Sequence, residues 1–115
     1  MKIFEDLKRL NEARASKLVL VYIPMKWELE GDGSQEWIRF IEKATRDLGI
    51  PLINLFSPFR SLPKERVVSL YIPAGQIQYP HAEGHLTNEG NEFVARMIYE
   101  GMKNDPAPRA YSPHQ

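Results

Sequence analysis

The chain has 115 residues, of which 43% are hydrophobic and 26% charged, and its 15 basic residues balance its 15 acidic ones. This composition is typical of one globular domain, and the absence of net charge argues against nucleic acids and anionic membrane surfaces as partners. The chain has no cysteine, which excludes disulfide bonds, a cysteine nucleophile and cysteine-ligated metal centres.

Helices and apolar strands alternate along the predicted fold. In chain order the pattern predicts a helix over residues 2–15, a strand over 18–23, a helix over 35–48, a strand over 51–55, a strand-like run over 67–72 and a helix over 88–103. Four prolines interrupt residues 56–80, and three prolines with few apolar residues indicate a disordered tail over residues 104–115. Residues 1–103 are therefore expected to form one domain.

Each predicted helix has an apolar face that we expect to be buried. These faces are Ile3, Leu7 and Leu10 in the first helix, Trp37, Ile38, Ile41, Ala44 and Leu48 in the second, and Phe93, Val94, Met97, Ile98 and Met102 in the third. Ser34 or Asp32 is expected to cap the second helix, and Thr87 the third. Gly49 is expected to end the second helix in the left-handed conformation.

The two strands at residues 18–23 and 51–55 are apolar without alternation. Such strands are typical of a parallel sheet that helices cover on both faces. Right-handed crossovers would make these two strands parallel neighbours. We therefore predict an α/β fold with a short parallel sheet, and two or three strands are few enough to indicate part of a larger one.

The compartment is predicted from two absences in the sequence. The longest apolar run, residues 18–24, is far shorter than the ~20 residues that span a bilayer. Charged residues occupy the N-terminus, where a signal peptide would need an apolar run. As written, the chain is expected to have no membrane span and to be cytoplasmic.

Two histidines lie close together just before the third predicted helix, and His85 is the one next to the helix. Glu83 could accept a hydrogen bond from Nδ1 of His85, which would leave Nε2 free to take a proton from a nucleophile. The alternative is an ordinary loop histidine beside a solvated carboxylate. A metal site at His81, Glu83 and His85 is less favoured, because the spacing lies in a loop and not on a helix face.

This region of the chain resembles a known family. Residues 84–95, GHLTNEGNEFVA, are similar to the last conserved block of SGNH (GDSL-type) hydrolases. Residues 18–24, followed by Lys26, resemble the family's later central strand, which ends in a proline, and residues 49–55 resemble its next strand. The resemblance covers about residues 1–103 and implies a partial three-layer α/β/α domain, flavodoxin-like and of the SGNH type.

The resemblance implies roles for three residues. His85 would be the catalytic base, Glu83 its orienting acid, and Gly90 the small residue that lets the last helix pack closely. The chain departs from the family pattern at two positions. The family's acid is commonly an Asp three residues before the His, where this chain has Ala82, and a second His often follows the helix glycine, where it has Asn91.

The family's nucleophile block is missing from the resemblance. In SGNH enzymes the nucleophilic Ser lies after the first strand in a Gly-Asp-Ser motif, and two following blocks supply a Gly and an Asn to the oxyanion hole. None of these blocks precedes residue 18. The Gly-Asp-Gly-Ser of residues 31–34 follows a loop and not a strand, so Ser34 is interpreted as a helix cap.

The function implied is the C-terminal segment of an SGNH-type ester hydrolase or acyl-transfer domain, inactive as this chain alone. Its substrate would be an ester, taken when an N-terminal segment supplies the Ser and the oxyanion donors. No cofactor or metal is implied. If a signal peptide preceded such an N-terminal segment, the location would be secreted or periplasmic.

Lys26 and Trp27 follow the first strand and are candidates for substrate binding, because ligands bind at the carboxyl ends of parallel strands. The favoured alternative is that Trp27 covers the edge of the core. A second hypothesis for the whole chain is non-enzymatic. It would be a truncated fragment that forms a homodimer or docks an open sheet edge on a partner chain.

Overall fold

The computed structural model describes residues 1–75 and 81–104. In chain order its helices and strands are α1 (Lys2–Ala13), β1 (Leu20–Tyr22), a 3-10 helix (Lys26–Glu30), α2 (Gln35–Leu48), β2 (Leu52–Asn54), α3 (Phe56–Arg60), α4 (Lys64–Leu70) and α5 (Asn88–Asn104). The predicted α/β class is confirmed. Asn104, predicted to begin the tail, ends α5 instead, and the rest of that tail lies outside the described residues.

The chain divides into two compact units, residues 1–56 and the residues from 57 onward. The sequence predicts one domain over residues 1–103, and the boundary between the two units falls inside that range. Each unit is described by itself.

β1 and β2 form the parallel sheet of the first unit. Leu20 lies opposite Leu52, and Tyr22 lies opposite Asn54, so the predicted parallel pairing is confirmed. All six strand residues are half-buried, which shows that the sheet is covered only in part. The connection between the two strands contains α2, as a parallel pair requires.

α2 has the bounds that the sequence predicts, and its C-terminus is formed as expected. Gly49 has φ 65° in the left-handed region. The N–H of Gly49 donates to the Arg46 carbonyl at 3.1 Å, and the N–H of Ile50 donates to the Thr45 carbonyl at 2.8 Å. Ile50 is buried, so the apolar contact that accompanies this type of helix end is available.

The buried face of α2 is rotated slightly from the predicted one. Ile38 and Ile41 are buried as expected, and Thr45 is buried with them. Trp37 is 49% exposed, so its predicted burial is wrong. It lies at the edge of the buried face and stacks on Phe40, with 5.4 Å between the ring centres.

α1 forms where the sequence predicts a helix, but its apolar face is not buried. Ile3, Leu7 and Leu10 are all exposed, and no residue of α1 is buried within the described part of the chain. The prediction of a buried face is therefore wrong. Helical spacing places these side chains on one stripe, but it does not supply an element that covers the stripe.

In the second unit, the strand predicted over residues 67–72 is wrong, because most of it belongs to α4. Pro63 precedes α4 with φ −57°, and its carbonyl accepts the N–H groups of Arg66 and Val67 at 3.0 and 3.1 Å. This pre-set turn starts a helix through β-branched residues that otherwise favour a strand. Tyr71 is extended and forms a single antiparallel bridge with Leu86.

The core of the second unit is built around Phe59 of α3, which has no exposed surface. The Phe59 ring meets Phe93 of α5 edge to face at 4.9 Å between ring centres, and it lies 5.8 Å from Tyr71. Phe93 and Val94 are buried as predicted, whereas Met102, near the end of α5, is exposed. The aromatic cluster thus joins α3, α5 and the residue after α4.

Candidate functional site

His85 lies on the loop that leads into α5, and its side chain is exposed. The loop begins with a tight turn over residues 82–85, in which the N–H of His85 donates to the Ala82 carbonyl at 3.2 Å. Gly84 takes the third position of this turn with φ 81°, a positive φ that type II turns require there.

Backbone hydrogen bonds fix the loop against the segment that follows α4. The N–H of Ile72 donates to the His85 carbonyl at 2.7 Å, and the N–H of Gly84 donates to the Ile72 carbonyl at 3.0 Å. The N–H of Thr87 donates to the Leu70 carbonyl at 2.9 Å. These bonds hold the backbone of His85 in place and leave its imidazole ring facing solvent.

Thr87 caps α5, as the sequence predicts. Its hydroxyl accepts the N–H of Gly90 at 3.1 Å, three residues into the helix, and donates to the Ser69 carbonyl at 2.8 Å. One side chain therefore caps α5 and also links it to α4. Because His85 is two residues before Thr87, this cap also fixes the position of the His85 backbone relative to the start of α5.

Gly90 is the point of closest packing between α5 and the end of α4. It is buried, and a Cβ atom built on it would overlap the Leu70 carbonyl oxygen and lie 3.1 Å from Leu86 Cδ2. The predicted role of Gly90 as the small residue that permits close helix packing is confirmed.

The residues around His85 differ in their exposure and in their backbone conformation. Ala82, which occupies the position of the family's usual acid, is 1% exposed. Glu83 is exposed at the tip of the turn. His81 has φ 67°, a left-handed conformation that non-glycine residues seldom adopt.

The structure gives no hydrogen bond from the side chains of Glu83 or His85 to any of residues 1–75 and 81–104. Both side chains are exposed. Catalytic hydrogen bonds often form fully only when substrate is bound. The pairing of the Glu83 carboxylate with Nδ1 of His85 stays a prediction.

Lys26 and Trp27, the predicted substrate-binding residues, begin the 3-10 helix after β1. Trp27 is 63% exposed, so the alternative in which it covers the core is wrong. Lys26 is half-buried. These two residues belong to the first unit and the histidine loop to the second, and their membership of one site stays a prediction.

A buried carboxylate that the sequence analysis did not identify lies beside them. Glu28 is 7% exposed. Its Oε1 accepts the Tyr22 hydroxyl and its Oε2 accepts the Met25 N–H at 2.6 Å, while the Ser34 hydroxyl also hydrogen-bonds to it. The carboxylate therefore ties the end of β1 to both ends of the loop that carries Lys26.

The environment of Glu28 keeps it ionised. Burial by itself raises the pKa of a carboxyl, but the hydrogen bonds from Tyr22, the Met25 amide and Ser34 outweigh burial and lower the pKa of Glu28 below its ordinary value. For Tyr22, burial raises the pKa of the phenol, and the hydrogen bond and negative charge of Glu28 raise it further. The pair is thus a carboxylate held by a neutral phenol donor.

Ser34 occupies the predicted cap position of α2, but its side chain does not cap the helix. Its carbonyl accepts the Ile38 N–H at 2.9 Å, as a cap residue should, whereas its hydroxyl bonds to Glu28 instead of the helix N–H groups. The prediction that the Ser34 side chain caps α2 is therefore wrong. No short sequence motif could have identified this cluster, because Tyr22, Glu28 and Ser34 are each six residues apart.

Within residues 1–75 and 81–104, the structure contains no group of three histidine, cysteine, aspartate or glutamate side chains that could hold a metal ion. In the same ranges, no helix has the length and apolar character needed to cross a membrane. Comparison of the chain with models of protein families, with curated proteins and with solved structures finds no match.

Proposed function

We propose that the chain provides the histidine base of an SGNH-type ester hydrolase or acyl-transfer domain whose nucleophile comes from another segment. The observation that carries this proposal is the presentation of His85. Both its backbone N–H and its carbonyl are hydrogen-bonded, its ring is exposed, and α5 begins three residues later. A general base needs a fixed backbone and an accessible ring nitrogen.

In the proposed mechanism, Nε2 of His85 takes the proton of the serine hydroxyl while the serine oxygen attacks the ester carbonyl. The protonated imidazole then gives this proton to the departing alcohol, which leaves an acyl-enzyme. His85 next takes a proton from water while the water oxygen attacks the acyl carbonyl, and it returns that proton to the serine oxygen as the acid leaves. Glu83 would orient the ring by accepting Nδ1–H.

The finer fold proposed with this function is a partial three-layer α/β/α sheet of the flavodoxin-like type. Two parallel strands whose connection contains α2 are compatible with such a sheet. The close packing of Gly90 also supports the proposal, since the resemblance implies that role for this residue.

The test is complementation. The chain is mixed with a segment that bears a strand followed by Gly-Asp-Ser, and hydrolysis of an activated aryl ester is measured. The chain alone should show no saturable turnover, because the loss of a serine nucleophile costs ~10⁶ in rate. The mixture should show saturable turnover that His85→Ala abolishes.

His81→Ala is the matched control, since it removes an exposed histidine from the same loop. It should leave the turnover of the mixture within about threefold, a change of less than ~1 kcal/mol in the barrier. Equal losses from the two variants would refute the role of His85. Turnover by the chain alone that Ser34→Ala destroys would refute the need for a second segment.

A second candidate function is a non-catalytic module that associates with itself or with a partner chain. Large apolar side chains are exposed on both α1 and α2, among them Ile3, Leu10, Trp37 and Phe40. In the described residues the sheet has two strands, so each strand has an open edge. Sedimentation across a range of concentrations tests self-association, and a monomer at every concentration would refute it.

A further inference from the structure

A groove of about 450 Å³ is lined by residues of α2 and β2 in the first unit. Its lining combines polar and apolar side chains from α2, β2 and the residue between them: Glu42, Thr45, Arg46, Ile50, Leu52 and Asn54. The Asn54 amide donates to Glu42 Oε1 at 3.2 Å, which links the strand to the helix above it. The groove is thus lined by β2 on one side and by a charged face of α2 on the other.

The ladder between the strands shows which backbone groups of β2 are used. The N–H of Leu20 donates to the Pro51 carbonyl at 2.9 Å, and the N–H of Leu55 donates to the Tyr22 carbonyl at 3.0 Å. These two bonds flank the paired residues at either end of the sheet. Pro51 and Leu55 therefore direct their bonding groups toward β1.

Successive residues of a strand direct their N–H and C=O groups to opposite sides. Because Pro51 and Leu55 face β1, Ile53 faces it too. Leu52 and Asn54 then direct their N–H and C=O groups to the open side, where no other strand of the described residues pairs with them. This edge offers two donors and two acceptors next to the groove.

We propose that this edge joins two copies of the chain, with β2 of one copy antiparallel to β2 of the other about a two-fold axis at Ile53. In that register Leu52 lies opposite Asn54 of the second copy, and each such pair exchanges two hydrogen bonds. The axis repeats the pair, so every outward-facing backbone group of β2 is bonded. The result is a four-stranded sheet.

The charges in the groove identify a second copy as the occupant. Glu42 and Arg46 lie one turn apart on α2 and both line the groove. A two-fold axis between antiparallel helices places Glu42 of each copy opposite Arg46 of the other, which forms two ion pairs. A partner of one charge sign would meet one attractive and one repulsive group, whereas this surface is complementary to itself.

This inference is independent of the proposed hydrolase role and rests on the self-association given as the second candidate function. To that self-association it adds the strand edge that pairs, the register of the pairing and the ion pairs between the two copies. The chain has no cysteine, so a single introduced cysteine reports the interface by disulfide formation. Ile53→Cys places two thiols across the two-fold axis, at a non-hydrogen-bonded antiparallel pair with Cα atoms about 4.5 Å apart, within disulfide reach.

Val21→Cys is the matched control, because Val21 is the β1 residue paired with Ile53 and is equally half-buried. Both variants are oxidised mildly and then analysed under denaturing conditions. Ile53→Cys should give a covalent dimer, and Val21→Cys should give a monomer. Crosslinking through Val21→Cys alone, or through neither variant in a chain that dimerises, would overturn the β2 interface and leave self-association standing.

Sedimentation equilibrium tests the charges independently. Arg46→Glu replaces two ion pairs with two repulsions and should weaken dimerisation at least about tenfold. Arg39→Glu makes the same charge change at an exposed α2 residue outside the groove and should change it by less than about threefold. Equal effects would overturn the interface, and a wild-type chain that is monomeric throughout would refute both the interface and the self-association.

Discussion

Replacing Gly90 with alanine tests the packing that positions the His85 loop. The added Cβ would overlap the Leu70 carbonyl oxygen and lie 3.1 Å from both the Leu70 carbonyl carbon and Leu86 Cδ2. The obstacle is backbone, and the same carbonyl accepts the N–H of Thr87 at 2.9 Å. It cannot turn away without breaking the bond that holds the loop.

The expected change in the free energy of unfolding follows from two destabilising effects and one stabilising effect. Extra atoms in a packed site cost ~1–3 kcal/mol, and the weakened bond from Thr87 to Leu70 adds about 1 kcal/mol. Alanine recovers about 1 kcal/mol through its higher helix propensity. Gly90→Ala should therefore lower the free energy of unfolding by about 1–3 kcal/mol, in contrast to the gain that Gly→Ala gives in an open helix.

Urea unfolding followed by far-ultraviolet circular dichroism measures this change, because α5 is the longest helix. Both tryptophans, Trp27 and Trp37, belong to the first unit, so their fluorescence does not report directly on α5. Gly31→Ala is the control, since a Cβ there meets nothing within 4 Å, and should stay within about 0.5 kcal/mol of wild type. A Gly90→Ala variant as stable as wild type would refute the packing argument.

Four further outcomes are expected. Glu28→Gln should cost about 2–3 kcal/mol and Tyr22→Phe about 1–2 kcal/mol, measured by tryptophan fluorescence in urea, because the buried carboxylate loses charge-assisted hydrogen bonds; equal stability of all three proteins would contradict this. Folding lowers the pKa of Glu28 below its ordinary 4.5. The stabilisation that the ionised Glu28 gives is therefore complete above pH 4.5 and is lost as the pH falls through the lower pKa of the folded state. In an acid titration, Glu28→Gln should lose less free energy of unfolding over that range than the wild type. Thr87→Val should cost about 1–2 kcal/mol by circular dichroism in urea, since it removes the α5 cap and the bond to the Ser69 carbonyl. Arg66→Ala should cost less than ~1 kcal/mol in the same assay, because its ion pair with α5 is about two-fifths exposed.

The histidine loop was predictable because its signals are local. A histidine, a glycine that needs positive φ and a threonine cap lie within four residues, and each acts through its near neighbours. The carboxylate at Glu28 was not predictable in this way. Its partners Tyr22 and Ser34 are each six residues away and meet it only after the chain has folded back past the end of β1.

The sequence by itself determined the helices whose ends are fixed by capping residues next to them in the chain. α2 has its predicted bounds because Gly49 can take the left-handed conformation at its end, and α5 begins after Thr87 because that hydroxyl satisfies a free helix N–H. These choices depend on residues within one turn of one another.

Only the tertiary structure decided what each element buries and which of two possible structures an ambiguous segment takes. The run at residues 67–72 has strand-forming side chains, yet most of it is helical because Pro63 starts a turn there, and Leu70 at the end of that helix is fully buried. The apolar stripe of α1 has regular spacing and remains exposed. Periodicity specifies which side chains share a face, but burial depends on residues far away in the chain that come to cover that face.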